Sequence, residues 1–282
     1  MIVRTLGKRA ATAALAAAAS AAFFLSALPA ASQTLTSLAD IARVNVLPGW
    51  RTADGTYMAA VHIALKEGWK TYWRSPGEAG IPPSFDWSGS QNLAAVRLHW
   101  PTPHVFTANG LRSIGYKGDI VLPLELTPRK GAGTPVSLRG TMQIGVCEDI
   151  CIPMTFELAA DLIGSGAPDA AIRRSLADTP VPGIKAGLRS SVCRIEPSAD
   201  GLRLTAVLDL PPVGKDELAV VELPDRTVWI AEATTRRTGR VLSAQTDLVP
   251  TDGKPFALER SDVRITVLAD GKAVEVSGCT AG

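Results

Sequence analysis

The sequence predicts an all-β protein built from two antiparallel β-sandwich domains. Short runs that alternate apolar and polar residues recur along most of the chain, and such alternation is typical of half-buried strands. The chain also contains 25 Gly and 20 Pro residues, which supply turns between strands. Short strands at this spacing favour sandwiches of the immunoglobulin-like type.

The strand pattern occupies two groups of segments. The first group covers residues 56–65, 95–99, 120–126, 138–147 and 152–162. The second group covers residues 202–208, 218–223, 227–234, 240–248, 263–268 and 273–276. Trp229 falls in one of these segments, and we expect it to pack in the core, because Trp at a strand position is usually core filling.

A break in the strand rhythm separates the two groups. Residues 164–168 and 179–183 are rich in Gly and Pro, and a short helical pattern covers residues 169–177 between them. This composition is typical of an interdomain linker. We therefore expect a first domain over residues 33–163, a linker over 164–186 and a second domain over 187–282.

The first 32 residues have the pattern of a secretory signal peptide. Arg4, Lys8 and Arg9 precede an uncharged, Ala-rich run over residues 10–28, and residues 30–32 offer a small-residue cleavage site. An uncleaved membrane anchor is the alternative, but an Ala-rich run is only weakly hydrophobic. The sequence therefore predicts an exported protein with no membrane insertion after signal cleavage.

The charge of the chain argues against two classes of partner. The full sequence has 29 basic and 27 acidic residues, and loss of the signal leaves 26 basic against 27 acidic, a net charge of about −1. A near-neutral chain without a Lys/Arg-rich block indicates neither a nucleic acid nor an anionic membrane surface as partner. Nucleophile-elbow, phosphate-loop and dinucleotide-binding motifs are also missing from the sequence, and no cofactor is expected.

The segment with the clearest chemical signal contains Cys147 and Cys151. Three residues separate these cysteines, and strand-like runs lie on both sides, so we expect the pair at the tip of a β-hairpin. Two thiols at an exposed tip can attack a partner's disulfide and then resolve the mixed disulfide. The competing interpretation is a plain stabilising disulfide, the usual state of a cysteine pair in an exported protein.

Glu148 and Asp149 lie between the two cysteines and should modulate them. Nearby carboxylates oppose thiolate formation, so the reduced pair is predicted to react slowly with a generic alkylating reagent at neutral pH.

Cys193 and Cys279 are interpreted as a structural disulfide. They stand near the two ends of the second domain, so a bridge between them would close a long loop. In the chain-entropy model such a bridge contributes about 4 kcal/mol.

Two other kinds of function remain open at this stage. Met142 and Met154 flank the cysteine hairpin, and soft sulfur ligands select Cu(I), with His104 as the nearest candidate third ligand. Core packing is the simpler explanation for both Met residues. A binding or chaperone module is the other alternative, since a β-sandwich does not determine function.

Several motifs resemble the periplasmic N-terminal domain of the DsbD/ScsB family of thiol:disulfide interchange proteins. The motifs are GWKTYWRSPGEAG (68–80), FDW (85–87), WPTP (100–103), GYKG (115–118), VLPL (121–124) and VCEDICIP (146–153). The resemblance implies a periplasmic immunoglobulin-like domain in which Cys147 and Cys151 are the redox pair. It also implies two partners, a membrane electron donor of the ScsB or CcdA kind and thioredoxin-like periplasmic acceptors.

The sequence departs from the DsbD pattern in three ways. Three residues separate the cysteines instead of five, which is closer to the ScsB-like branch. Resemblance to ScsB-like systems also implies copper tolerance as an alternative function. The aromatic cap of DsbD is not matched; the corresponding region reads Asn109-Gly110-Leu111, with Phe106 as the nearest bulky candidate for shielding. The membrane relay and the thioredoxin-like domain are missing from the sequence, so we expect a separate protein to supply the electrons.

Overall fold

Short strands make up most of the computed structural model, which describes residues 38–108, 110–129, 131 and 134–282. The expected signal peptide (1–32) and Asn109 lie outside the described residues. The helices are α1 (Leu38–Ile41) and α2 (Ala170–Ala177). The strands are β1 (Ala42–Arg51), β2 (Tyr57–Leu65), β3 (Lys70–Tyr72), β4 (Ser84–Asp86), β5 (Leu93–Leu98), β6 (His104–Ala108), β7 (Leu111–Lys117), β8 (Asp119–Pro128), β9 (Val136–Cys147), β10 (Cys151–Leu162), β11 (Val181–Pro182), β12 (Ser190–Pro197), β13 (Leu202–Asp209), β14 (Leu218–Glu222), β15 (Val228–Ile230), β16 (Thr234–Thr238), β17 (Val241–Pro250), β18 (Arg264–Ala269), β19 (Lys272–Ser277) and β20 (Thr280–Ala281).

Strands β1–β10 form a first sandwich around one hydrophobic core. One sheet has the order β1-β2-β8-β5 and the other the order β10-β9-β3-β7-β6, with β4 paired to β9. Successive side chains of a strand point to opposite faces, so each sheet presents an apolar face to the shared core. Leu122 on β8 and Leu138 on β9 meet there and are fully buried.

Strands β11–β20 form a second sandwich with its own core. Its sheets have the orders β11-β19-β18-β14 and β15-β17-β13-β12-β20, and β16 pairs with β17. Leu204, Leu242 and Ile265 are buried between the two sheets. The predicted fold class, two antiparallel immunoglobulin-like sandwiches, is confirmed.

The segment that joins the sandwiches packs against both of them. Asp169 caps α2 by accepting hydrogen bonds from the backbone N–H groups of Ala171 and Ile172. Ile172 is buried against β2 of the first sandwich, whereas β11 pairs in parallel with β19 of the second. The boundaries at residues 33–163, 164–186 and 187–282 stay a prediction.

Two predictions about the second sandwich are wrong. The segment 227–234 is not one strand, because the chain leaves the sheet between β15 and β16. Trp229 is 54% exposed instead of packed in the core, since side chains alternate between the two faces of a strand and Val228, its neighbour on β15, takes the buried face. In the described part of the chain, no helix is long and apolar enough to cross a membrane.

Candidate active site

The predicted hairpin is confirmed, and it places the two cysteines directly opposite each other. Strands β9 and β10 pair without a register shift from Val136 and Leu162 to Cys147 and Cys151. Cys147 and Cys151 form a disulfide with their Cα atoms 4.1 Å apart. The turn between them consists of residues 148–150, and Ile150 at its tip is 74% exposed.

The two sulfurs do not share one environment. Cys147 is 1% exposed, whereas Cys151 is an exposed residue. The expectation of two exposed thiols is therefore correct only for Cys151. Cys151 is therefore the half of the bridge that borders solvent, and exchange depends on access to the sulfur that is attacked.

The disulfide lies on the outer face of its sheet, the face directed away from the core. Met142 and Ile144 on β9 are buried in the core cluster, and Cys147 lies an odd number of positions from both, so it belongs to the other face. Met154 is paired with Ile144 and is also part of the core cluster. The two Met residues of the copper hypothesis thus lie on the opposite face of the sheet from the cysteines.

Tyr72 covers both sulfurs. Its hydroxyl donates to Sγ of Cys147 at 2.9 Å and lies 3.1 Å from Sγ of Cys151. Tyr72 is only 3% exposed, and burial raises the pKa of its hydroxyl above the usual value. Tyr72 therefore stays protonated at neutral pH and can donate to a sulfur.

Gly145 leaves room for the Tyr72 ring to lie across β9. A Cβ at this position would lie 2.9 Å from Cβ of Ile81 and 3.2 Å from Cε2 of Tyr72. Both distances are shorter than ordinary van der Waals contact, so a larger residue would displace the groups that cover the disulfide.

The segment between β3 and β4, residues 73–83, forms a cover loop over Tyr72. The carbonyl oxygen of Ala79 lies 3.3 Å from the Tyr72 hydroxyl and is a second, more distant acceptor for its single proton. Gly80 lies against the Tyr72 ring, since a Cβ there would be 2.8 Å from its Cδ1. Long structured loops often line sites, and this loop packs against the side chain that contacts both sulfurs.

Phe106 lies on β6, three strands away from β9 in the same sheet. The ammonium groups of Lys70 and Lys117 stand 5.5 Å and 5.1 Å from the centre of its ring, and the His104 ring lies 6.3 Å away. Among the described contacts, the aromatic side chain that reaches the sulfurs is Tyr72. Shielding by Phe106 stays a prediction.

Two kinds of charge surround the pair. Glu148 and Asp149 are exposed in the turn, as their place in the sequence predicts. Lys70 is paired with Cys147 across β3 and β9, but its Nζ donates to Oγ of Ser113 at 3.2 Å and is directed toward Phe106. The modulating role assigned to the two acidic residues stays a prediction.

The first sandwich is similar to a known family of domains. Residues 42–162 match the family described as "Thiol:disulfide interchange protein DsbD, N-terminal". These bounds coincide with the first residue of β1 and the last residue of β10, so the match covers the whole first sandwich. The first sandwich matches the DsbD N-terminal family along its whole length. It contains Cys147, Cys151, Tyr72 and the cover loop.

The whole arrangement of two sandwiches is similar to a solved structure. The N-terminal periplasmic domain of ScsB from Proteus mirabilis superposes with a TM-score of 0.61 at 25% identity, over 88% of this chain and 97% of that one. The structure of Yersinia pseudotuberculosis InvD aligns at 14% identity over 86% of this chain and 58% of that one, and its TM-score of 0.18 supports no argument. No curated protein matches significantly.

The second disulfide lies outside the matched first sandwich. Cys193 and Cys279 are bonded with their Cα atoms 5.6 Å apart, and Cys193 is fully buried in the core of the second sandwich. The predicted pairing is confirmed, and its structural role stays a prediction.

Sequence reasoning missed Tyr72 as a contact of the sulfurs. Tyr72 belongs to the GWKTYW motif, but it is 75 positions from Cys147 in the sequence. A signal was nevertheless present: Gly145 interrupts the apolar strand two residues before Cys147, and a Gly inside a strand often marks close approach by another group.

Proposed function

We propose that the protein is a periplasmic thiol:disulfide interchange protein in which Cys151 is the sulfur that partner proteins attack. The supporting observation is the asymmetry of the bridge, with an exposed Cys151 joined to a buried Cys147 under the Tyr72 hydroxyl. The match of the first sandwich to the DsbD N-terminal family supports the same chemistry.

The exchange proceeds in two displacement steps. A partner thiolate attacks Sγ of Cys151, a new S–S bond forms, and the bond to Cys147 breaks with Cys147 leaving as a thiolate. A second partner thiolate then attacks the partner's own sulfur in the mixed disulfide, and Cys151 leaves. Overall, the protein gains two electrons and two protons, and the partner is oxidised to a disulfide.

Tyr72 supports the first step at the leaving sulfur. A buried thiolate is costly because burial disfavours the charged form. The Tyr72 hydroxyl is already 2.9 Å from Sγ of Cys147 and donates to it, so it stabilises the negative charge as the bond breaks. The same contact serves the reverse reaction, in which the reduced protein donates electrons to a partner. Tyr72 then holds Cys147 beside Cys151, where Cys147 can resolve the mixed disulfide.

The surface around Cys151 suits docking by another protein. Ile150 is 74% and Ile81 37% exposed, and both belong to segments that contact or adjoin the disulfide. A partner that covers these apolar side chains would bury its own reactive sulfur next to Cys151. The partners that we propose are a membrane electron donor of the ScsB or CcdA kind and thioredoxin-like periplasmic acceptors.

The reduction potential of the Cys147–Cys151 pair is the direct test. The intact protein is equilibrated with glutathione or dithiothreitol buffers and then alkylated, and peptide mapping assigns each cysteine. We expect a potential well above the roughly −300 mV below which structural disulfides lie. A pair that remains oxidised in these buffers would show that the disulfide is only structural and would overturn the proposal.

Single-cysteine variants test the assignment of the attacked sulfur. Cys147→Ser leaves the exposed Cys151 and is expected to trap a mixed disulfide with a thioredoxin-like protein that retains one active-site cysteine. Cys151→Ser leaves only the buried Cys147 and is the matched control. Equal trapping by both variants, or preferential trapping by Cys147, would contradict the assignment.

A further inference from the structure

The cover loop contacts the second sandwich as well as Tyr72, the residue that covers the disulfide. Its second residue, Arg74, follows Trp73 and lies two positions after Tyr72. Nε and Nη2 of Arg74 donate to the two carboxylate oxygens of Glu222 at 2.8 Å and 2.9 Å. Nη2 also donates to Glu275 at 2.6 Å.

We propose that the second sandwich positions the cover loop over the disulfide, with Glu222, Glu275 and Glu232 as positioning residues for the exchange site. This inference rests on the proposed function of Cys147 and Cys151. It assigns to the second sandwich a control over access to the sulfurs and over the place of Tyr72.

The Arg74 cluster is a fixed connection between the sandwiches. The side chains of Arg74 and Glu222 are only 12% and 14% exposed, and that of Glu275 is 28% exposed. Bidentate pairing restrains the direction of a guanidinium group as well as its position. Because the cluster is largely shielded from solvent, removal of one carboxylate leaves a poorly compensated charge.

The charge of Arg74 is not lost in any ordinary pH range. Burial alone would lower the pKa of its guanidinium, but hydrogen bonds and Coulombic attraction from Glu222 and Glu275 outweigh burial and raise that pKa. The guanidinium also stacks on the ring of Trp73, 4.2 Å from its centre. Trp73 is fully buried, so Arg74 is held on both sides.

A second ion pair fixes the support beneath the loop. Arg112 on β7 pairs with Glu232 of the second sandwich. The carbonyl of Arg112 lies directly under Gly77, where a Cβ would come within 2.9 Å of it. The next loop residue inward, Pro76, accepts a hydrogen bond from the N–H of Ile114 at 2.8 Å.

Apolar contact completes the junction. Leu218, Val220, Leu268 and Ala273 of the second sandwich belong to the core cluster of the first. These side chains come from β14, β18 and β19, and the same sheet contains Glu222 and Glu275. The sheet that packs on the first sandwich is therefore also the sheet that holds Arg74.

A short path connects these contacts to the sulfurs. Arg74 is fixed by the second sandwich, and the loop that follows returns Ala79 and Gly80 to Tyr72. Tyr72 in turn reaches Cys147. Release of Arg74 would allow the loop to move away from Tyr72 and expose the bridge.

The test compares Glu222→Gln and Glu275→Gln with the unchanged protein. Gln keeps the size of the side chain and removes its charge. Asp247→Asn is the matched control, because it removes a bidentate Arg–carboxylate pair whose partner, Arg203, lies in the second sandwich too. Glu232→Gln tests the Arg112–Glu232 ion pair if either of the first variants fails to fold.

The measurements are amide hydrogen exchange over residues 72–83 and the rate at which dithiothreitol reduces Cys147–Cys151. We expect faster exchange in this segment and about fivefold faster reduction in the Glu variants, the factor expected for the loss of one net hydrogen bond over the bridge. The control should leave both unchanged. Unchanged exchange in the Glu variants, or the same change in the control, would overturn the proposal.

The outcomes also separate this inference from the proposed function. Both measurements use small reagents and require no protein partner. A loop that loosens while the reduction rate stays constant would show a junction without control of the disulfide, which overturns the positioning role. Faster reduction in the Glu variants of a protein whose wild-type pair lies below about −300 mV would support the positioning role and contradict redox transfer.

Discussion

The hydroxyl of Tyr72 donates a hydrogen bond to Sγ of Cys147 at 2.9 Å, and the two residues meet through strands β3 and β9. This contact favours the reduced state once Cys147 becomes a thiolate, since hydrogen bonds to charged groups are the stronger ones. Tyr72→Phe should therefore make the reduction potential more negative by about 30 mV, which corresponds to ~1.4 kcal/mol for a two-electron couple. Equilibration with dithiothreitol buffers above the pKa of the thiol measures this shift.

Tyr116→Phe is the matched control for that experiment. Tyr116 is also buried, but its hydroxyl donates to the carbonyl of Pro101 at 2.9 Å. This variant should leave the potential unchanged. An unchanged potential in a folded Tyr72→Phe protein would show that the hydroxyl does not act on the sulfurs.

Gly145→Ala should open the cover over the disulfide. The new methyl group would come too close to Ile81 and Tyr72, and overpacking of this kind costs about 1–3 kcal/mol. We expect faster reduction of the bridge by dithiothreitol. Gly89→Ala is the control, because its Cβ would meet Arg139 only at 3.3 Å and neither glycine has a positive φ. Equal reduction rates in both variants would contradict the role of Gly145.

The acidic turn should slow thiolate chemistry in the reduced protein. Glu148→Gln with Asp149→Asn removes two exposed carboxylates next to the pair. Alkylation by iodoacetamide at neutral pH should become up to about fivefold faster, as expected for ~1 kcal/mol between charges in water. The gain should disappear in 1 M salt, where the Debye length falls to about 3 Å. Glu157→Gln, farther along β10, is the control, and an equal gain there would refute a local effect.

The hairpin was predictable because its information is local. Alternation along β9 and β10 fixes which side chains share a face, and the spacing of Cys147 and Cys151 fixes where the strands turn. The exposure of the two sulfurs was not predictable in this way. Cys147 is covered by Tyr72, and Tyr72 comes from a distant part of the chain, so local patterning around the cysteines gives no sign of it.

The second sandwich shows the same limit. Strand patterns located most of its elements, but they did not predict the environments of Trp229 and Leu218, which depend on tertiary structure. Trp229 is exposed because it lies on the opposite face of β15 from the buried Val228. Leu218 belongs to the core of the other sandwich, and periodicity alone gives no information about which neighbour an apolar face will meet.

Alkaline pH should weaken the fold through Tyr116. Burial, the largest cause, together with the carboxylate of Asp178 raises the pKa of Tyr116 well above its usual value, against a smaller lowering by Arg74. The native state keeps this proton while the unfolded chain releases it above about pH 10, so the contribution is complete below that pH and decreases above it.

Tyr116→Phe tests this dependence. At pH 8 the variant should be less stable by about 1–3 kcal/mol, because the carbonyl of Pro101 loses its donor. The difference should narrow toward pH 11, since the wild type alone loses the contribution of Tyr116. Urea denaturation at several pH values gives the free energy of unfolding, and a difference that stays constant across this range would contradict the assignment.

The two disulfides should differ in how much they stabilise the folded state. Cys193 and Cys279 are 86 positions apart and Cys147 and Cys151 only 4, and chain-entropy stabilisation grows with the length of the closed loop. Replacement of Cys193 and Cys279 by Ala should lower the free energy of unfolding by about 4 kcal/mol, against about 2 kcal/mol for the 147–151 pair. The potential of Cys147–Cys151 should be unchanged in the first variant, since Cys193 lies in the separate core of the second sandwich. A larger loss of stability from the short bridge would reverse the roles assigned to the two pairs.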